Sequence, residues 1–301
     1  MTLSRREFIG KTLAFAGYAS LDPLGALAAE TEVFRGESIF NSIRDRAVAD
    51  KWCELPIGEL MGKIGLALEG TPYKASTLEL SATEEICSVN LTALDCFTFF
   101  ESTLDFARML KKGGRTPADL LKEITFTRYR SGTIGDYSTR LHYMTDWLED
   151  NQSKHVVRLL SELPGSEKLT SKVDYMSHHP NGSIQMKANP SLIEKIKLRE
   201  AKINERTVKY VPLDKIADAE PFLKTGDIVA ICTNIAGLDV QHTGLVLRDK
   251  DNVPHFMDAS SRKVNMKVTV EAGPISEAIK RSDTAIGAIF ARPLEPNNSA
   301  R

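Results

Sequence analysis

The chain has 301 residues, with 39 lysines and arginines against 40 aspartates and glutamates and a formal charge of −1. That balance gives no electrostatic reason to expect nucleic acid or an anionic membrane as partner, and basic residues interspersed with acids read as a solvated face. The length suits one large domain, or one domain with a sizeable insertion, and neither repeats nor low-complexity segments are visible.

The first residues read as an export signal. Ser4-Arg5-Arg6-Glu7-Phe8-Ile9 is a twin-arginine pattern, followed by an apolar stretch from Thr12 to Leu21 and a small-residue site at Ala26-Leu27-Ala28. Asp22 and Pro23 interrupt the apolar run before it can span a bilayer, and no later segment is long and apolar enough to do so. An N-terminal anchor or an ordinary secretory signal is the competing reading. Removal of residues 1–28 predicts a periplasmic or secreted protein, 29–301, delivered by the twin-arginine export machinery.

Residues 31 to about 93 read as helical pieces broken by turns, among them Gly70-Thr71-Pro72-Tyr73. A helix is predicted from about Asp95 to Lys112, with Cys96, Phe99, Phe100, Ala107 and Leu110 at helical spacing and Gly113-Gly114 as its stop. Thr92 or Asp95 can cap it, so Cys96 falls in the first turn, where the helix dipole favours thiolate over thiol. Residues 115 to about 205 mix helix and irregular chain and read as an elaboration beside the core.

From Gly226 the pattern changes to short β runs at Ile228–Thr233, Val240–Arg248, Val253–Ser260, Val264–Val270 and Ala285–Arg292, with a helix near Pro274–Lys280. Helices first and antiparallel strands later indicate an α+β fold, with the Cys96 helix packed on the strands. A three-residue loop, Asp249-Lys250-Asp251, would close Arg248 against Asn252 and set His242 directly opposite Asp258. Pro254, lacking an N–H, suits the non-hydrogen-bonded face of that hairpin.

Cys53, Cys87, Cys96 and Cys232 would all remain after export, and an oxidising compartment permits disulfides. Spacing alone pairs none of them, and Cys53–Cys87 is one open pairing. Cys232 sits in an apolar strand and reads as a small core residue. No CxxC and no His/Cys set at zinc spacing occurs, so neither metal nor cofactor is expected; His178-His179 reads as surface.

A cysteine opening a helix, a distant strand histidine and a carboxylate beside it can divide the work of nucleophilic catalysis. Cys96 would attack, His242 would take and return a proton, and Asp258 would orient the imidazole. Buried packing is the competing reading for the thiol, and a structural role for the histidine.

Gly70-Thr71-Pro72-Tyr73, Leu94-Asp95-Cys96-Phe97-Thr98-Phe99-Phe100-Glu101, Arg128-Tyr129-Arg130-Ser131-Gly132, Ser138-Thr139-Arg140-Leu141-His142-Tyr143-Met144-Thr145-Asp146-Trp147 and Gly237-Leu238-Asp239-Val240-Gln241-His242-Thr243-Gly244 occur in that order. Together they resemble the NlpC superfamily of papain-like cell-wall hydrolases, and within it the N-acetylmuramoyl-L-alanine amidase-like branch. Where that superfamily often has a second histidine, this chain has Asp258 in Met257-Asp258-Ala259-Ser260.

The resemblance implies a papain-like, NlpC-type α+β fold: a nucleophile helix on an antiparallel sheet or partial barrel, with a helical and irregular insertion at about 115–205. It implies hydrolysis of the N-acetylmuramoyl–L-alanine bond of peptidoglycan or muropeptides, with the Cys96 N–H and the Tyr73 hydroxyl as oxyanion donors. Arg140 would grip a stem-peptide carboxylate, and Tyr143 or Trp147 would lie against sugar, with His142 in the same stretch. For Arg140 an ion pair with Asp136 or Asp146 is the plain alternative. Asp95 reads first as the helix cap and second as a holder of a substrate amine. An L-alanyl-γ-D-glutamate endopeptidase, an acyltransferase and a non-catalytic cell-wall binding module remain as rival functions.

Overall fold

Residues 33–297 are described by a computed structural model, so the export signal read at residues 1–28 lies outside the described part. The elements, in chain order, are β1 (Phe34–Arg35), α1 (Glu37–Ala49), α2 (Ile57–Ala67), β2 (Val89–Asn90), α3 (Cys96–Lys111), α4 (Pro117–Arg128), α5 (Met144–Ser153), β3 (Val157–Leu159), β4 (Glu167–Lys168), α6 (Tyr175–His178), α7 (Ile184–Ala188) and α8 (Ser191–Asn204). They continue with β5 (Lys209–Pro212), α9 (Ile216–Ala219), β6 (Ile228–Thr233), β7 (Val240–Arg248), β8 (Pro254–Ser260), β9 (Lys267–Val270), α10 (Ile275–Ile279) and β10 (Ala285–Pro293). Among the described residues no helix is long and apolar enough to cross a membrane.

The architecture is α+β. One sheet runs β4-β5-β10-β6-β7-β8-β9 with β3 also on β10, and every pairing in it is antiparallel. Its central strands alternate strictly. Ile228, Ala230, Cys232, Leu245, Met257 and Ala259 belong to the core shared with α2 and α3, while Val229, Ile231, Val246 and Phe256 pack with Ile216, Ile275 and Ile279 of α9 and α10. Both faces of the sheet are therefore covered, which is why β6 reads as an unbroken apolar run. β3, β4 and β5 lie in or just after the segment expected to be only helical and irregular, and they extend the sheet from its β10 side.

α3 is buried on all sides from Thr98 to Leu110. Its apolar residues meet the sheet and α2, and α4 covers the face that carries its charges. Charges removed from water need partners. Glu101 binds Arg128 at 2.6 Å, Asp105 accepts from the Thr127 hydroxyl at 2.6 Å, and Arg108 donates to Glu123 at 3.2 Å.

The β7–β8 register differs from the expected one. Leu245 pairs with Met257, Val246 with Phe256 and Arg248 with Pro254, so His242 is not directly opposite Asp258. The loop does have three residues, but they are Lys250, Asp251 and Asn252, closed by the Asp249 N–H donating to the Val253 carbonyl at 3.1 Å. Asn252 has φ 64°, the left-handed conformation required at the third position of such a loop and tolerated by asparagine. That preference slides the turn one residue along the chain.

The four cysteines are all unpaired, so the Cys53–Cys87 bridge left open by the sequence is not formed.

Candidate active site

Asp95 opens α3 through a reciprocal cap: its Oδ1 accepts from the Thr98 N–H at 2.8 Å, and the Asp95 N–H donates to Thr98 Oγ1 at 2.9 Å. Cys96 is consequently the first helical residue, with its own N–H free of the helical ladder. The chain just before it is anchored by Gly70–Tyr73. That extended segment bonds along β9, through Gly70 N–H to Val268 O and Tyr73 N–H to Met266 O, and then along Leu94, whose N–H donates to Pro72 O. Tyr73 is thus carried to the Cys96 end of the helix. Burial, then the nearby Cys96 and Asp95 charges, push its phenol up to about 12, so its hydroxyl stays a proton donor at neutral pH.

His242 stands on β7 beside an irregularity: it pairs with Ile231, whereas Cys232 pairs with Val240, leaving Gln241 bulged. Bulges re-aim neighbouring side chains and are frequent beside active sites. Asp258 lies on β8, opposite Thr269 of β9. His242 Nε2 and Asp258 Oδ2 are 2.6 Å apart. The two-residue offset from the expected register leaves both side chains on one face, so they meet diagonally. Gly244 allows the approach, since a Cβ there would press on the Met257 carbonyl oxygen and sit 2.6 Å from the Phe256 ring.

Cys96 and the imidazole line one cavity, and with Nε2 taken by Asp258, Nδ1 is the nitrogen left for the sulfur. Burial by itself would lower the His242 pKa; the nearby Cys96 charge, then the bond to Asp258, outweigh it and raise the value to about 10. Burial pushes the Asp258 carboxyl up while the imidazole pulls it back down, and so short a contact fits a charged imidazolium on a carboxylate.

Cys96 and His242 open into a cavity of about 260 Å³ whose far wall includes Arg140, His142, Tyr143 and Leu78. The Arg140 stretch therefore shares a cavity with the thiol, but its members do different things from those expected. The Arg140 fork is taken by Glu85, Nε to Oε1 and Nη2 to Oε2 at 2.7 Å each. It pairs with neither Asp136 nor Asp146; Lys195 holds the first, and Arg130 and Arg206 hold the second. With that edge occupied, the bidentate grip on a substrate carboxylate is not available.

Tyr143 is buried, its hydroxyl donating to Glu200 at 2.7 Å and accepting from Met176 N–H at 2.9 Å. Trp147 is 0% exposed and edge-on to Phe100 in the core. Trp147 therefore offers no face to a sugar, whereas Tyr143 borders the Cys96 cavity. Trp147 points inward because α5 turns that side of the stretch towards α3. His142 borders the cavity with Nε2 on the Tyr137 carbonyl at 2.8 Å; burial and then the Arg140 charge lower its pKa to about 4, so it is neutral.

Glu85 was not singled out by the sequence. It takes bonds from Arg140, Tyr129 and Gln185, and so ties the irregular chain before α3 to the cavity wall. An acid in a segment without periodicity gives no signal of this kind. Among the described residues no group of three His, Cys, Asp or Glu side chains is placed to hold a metal ion.

A family model described as AmiA-like, N-acetylmuramoyl-L-alanine amidase-like, matches residues 63–285, a span that includes Tyr73, Cys96, His242 and Asp258. The crystal structure of an N-acetylmuramoyl-L-alanine amidase from Bacteroides uniformis is 31% identical, with 79% of this chain and 99% of that chain covered and a TM-score of 0.72. A structure from Bacteroides fragilis, provisionally named a xylanase, is 34% identical, with 76% and 98% covered and a TM-score of 0.68. A Legionella pneumophila protein shares the fold at 17% identity and a TM-score of 0.65, with 86% and 95% covered. No curated protein matches significantly. The chain belongs to the AmiA-like, N-acetylmuramoyl-L-alanine amidase-like family.

Proposed function

We propose that this protein is a cysteine amidase on an NlpC-type papain-like frame, cleaving the bond between the lactyl carbonyl of N-acetylmuramic acid and L-alanine in peptidoglycan or its fragments. The observation that carries this reading is the linked set Cys96–His242–Asp258, with the thiol at a helix start and the imidazole held at 2.6 Å by a buried carboxylate.

In the first step the Cys96 thiolate bonds to the lactyl carbonyl carbon and the carbonyl electron pair moves onto oxygen. The Cys96 N–H and the Tyr73 hydroxyl are the donors for that oxyanion. His242 gives its proton to the alanine nitrogen as the C–N bond breaks, leaving a muramoyl thioester and a free peptide amine. Water then loses a proton to His242 and attacks the thioester, releasing the muramic acid carboxyl and the thiolate. Export through the twin-arginine route to the periplasm or beyond would bring the enzyme to its substrate.

Mass spectrometry of defined muropeptides incubated with the protein tests the bond assignment. Free sugar plus intact stem peptide is the expected result. A cut between L-alanine and γ-D-glutamate would move the assignment to an endopeptidase, and no turnover would favour an acyltransferase or a binding module.

A further inference from the structure

A second cavity, of about 280 Å³, lies on the Asp258 side of His242. It shares Gln241 and His242 with the cavity that holds Cys96, so the two meet at the imidazole. Its floor is apolar, formed by Ile231, Phe256 and Ile279, and its rim carries Arg262 and Arg281. Both guanidiniums converge on one oxygen of the buried Glu271: Arg262 Nη1 donates to Oε2 at 3.1 Å and Arg281 Nη1 at 2.7 Å. The other oxygen is occupied by Asn265 Nδ2 at 2.9 Å. One carboxylate cannot neutralise two guanidiniums, and Asp258, the other acid of the lining, is engaged by His242. A surplus positive charge with unused N–H donors therefore faces a cavity with an aliphatic floor. Such a site suits a short aliphatic group ending in a carboxylate.

We propose that this basin is a subsite for the departing peptide, with Arg262 and Arg281 holding a carboxylate located just beyond L-alanine. The proposal rests on the amidase reading, in which the peptide leaves from the His242 side as it takes the proton. A residue that is joined to L-alanine through its amino group and continues the stem through its γ-carboxyl, as D-glutamate does, keeps a free α-carboxylate at that place. The same arginines would discriminate against a stem in which that group is an amide.

The test compares N-acetylmuramoyl-L-alanyl-D-glutamate with its α-carboxamide counterpart as substrates for the wild-type protein, Arg262→Gln and Arg281→Gln. The wild type is expected to favour the carboxylate by about tenfold in kcat/KM, mainly through KM, and each variant to shrink that ratio towards one. A purely structural role for the arginines would depress both substrates alike and leave the ratio intact, which would overturn the proposal. Equal cleavage of both substrates by the wild type would also overturn it, with the amidase reading untouched. No cleavage of either by the wild type would instead defeat the amidase reading. Calorimetry of L-alanyl-D-glutamate and its α-amide against Cys96→Ala then decides the basin: carboxylate-dependent binding lost on adding Arg262→Gln supports it, and indifference to the carboxylate refutes it. Arg262 is half exposed, so its variant carries the test if Arg281→Gln fails to fold.

Discussion

His242 and Asp258 meet diagonally across the β7–β8 ladder, Nε2 to Oδ2 at 2.6 Å, although the register continued from Leu245 and Met257 would put Ser260 opposite the histidine. The contact is thus a product of strand twist, the Gln241 bulge and the close approach at Gly244, and each of these can be perturbed separately.

Asp258→Asn should keep the fold and lower kcat by about a hundredfold or more, because an amide cannot stabilise the imidazolium as a carboxylate does. The His242 pKa should fall from about 10, since burial is then opposed by the Cys96 charge without the Asp258 carboxylate. NMR titration of the His242 ring in both proteins checks this; an unmoved pKa would show that the Asp258 bond contributes nothing.

Gly244→Ala should destabilise the protein by about 1–3 kcal/mol, because the added methyl presses on the Met257 backbone and the Phe256 ring. Relief requires β7 and β8 to separate, so activity should fall as well. Urea denaturation with parallel rate measurements tests the link, and full activity in a destabilised variant would break it.

The order of elements around the site was legible in the sequence because it rests on local signals. The Asp95 cap and helical spacing place Cys96, and apolar runs of strand length place β6, β7, β8 and β10. The register was not legible, since it turns on whether Asn252 or Asp251 ends the loop, a choice governed by a left-handed φ. Parity rescued the His242–Asp258 contact, because a slip of two residues preserves the face. Trp147 was misjudged for a different reason. Its aromatic and charged neighbours suggested a surface, whereas the ring packs edge-on to Phe100 of α3 and the charges are matched, Arg140 by Glu85 and Asp146 by Arg130 and Arg206, pairings that no one-dimensional pattern displays.

Glu85→Ala should cost about 3–5 kcal/mol of stability, since it strands the buried Arg140 guanidinium without its carboxylate. It also loosens Arg140, which donates to the Leu78 carbonyl in the wall of the Cys96 cavity, so KM should rise more than kcat falls in whatever enzyme survives. Thermal melts and steady-state kinetics read the two effects. A variant as stable as the wild type would mean that Arg140 finds water or another partner.

Acid should weaken the fold through His142. Its pKa in the folded protein, about 4, lies below the ordinary 6.5, so the unfolded chain binds the proton more readily. The associated stability is present above about pH 6.5 and is lost as pH falls towards 4, on the order of 3 kcal/mol at most. His242 acts in the opposite sense: its contribution is full below about 6.5 and is lost as pH rises towards 10. Urea melts of wild type and His142→Gln between pH 4.5 and 6.5 should differ in slope by about one proton. Identical slopes would remove His142 from the acid response.

The most direct measurement is a single-turnover assay of a defined muropeptide with Cys96→Ala beside the wild-type protein, both confirmed folded by circular dichroism. Wild type should release the free stem peptide, and Cys96→Ala should release none, because the acyl intermediate forms on the Cys96 sulfur. Release by Cys96→Ala at a rate comparable to wild type would contradict a cysteine mechanism.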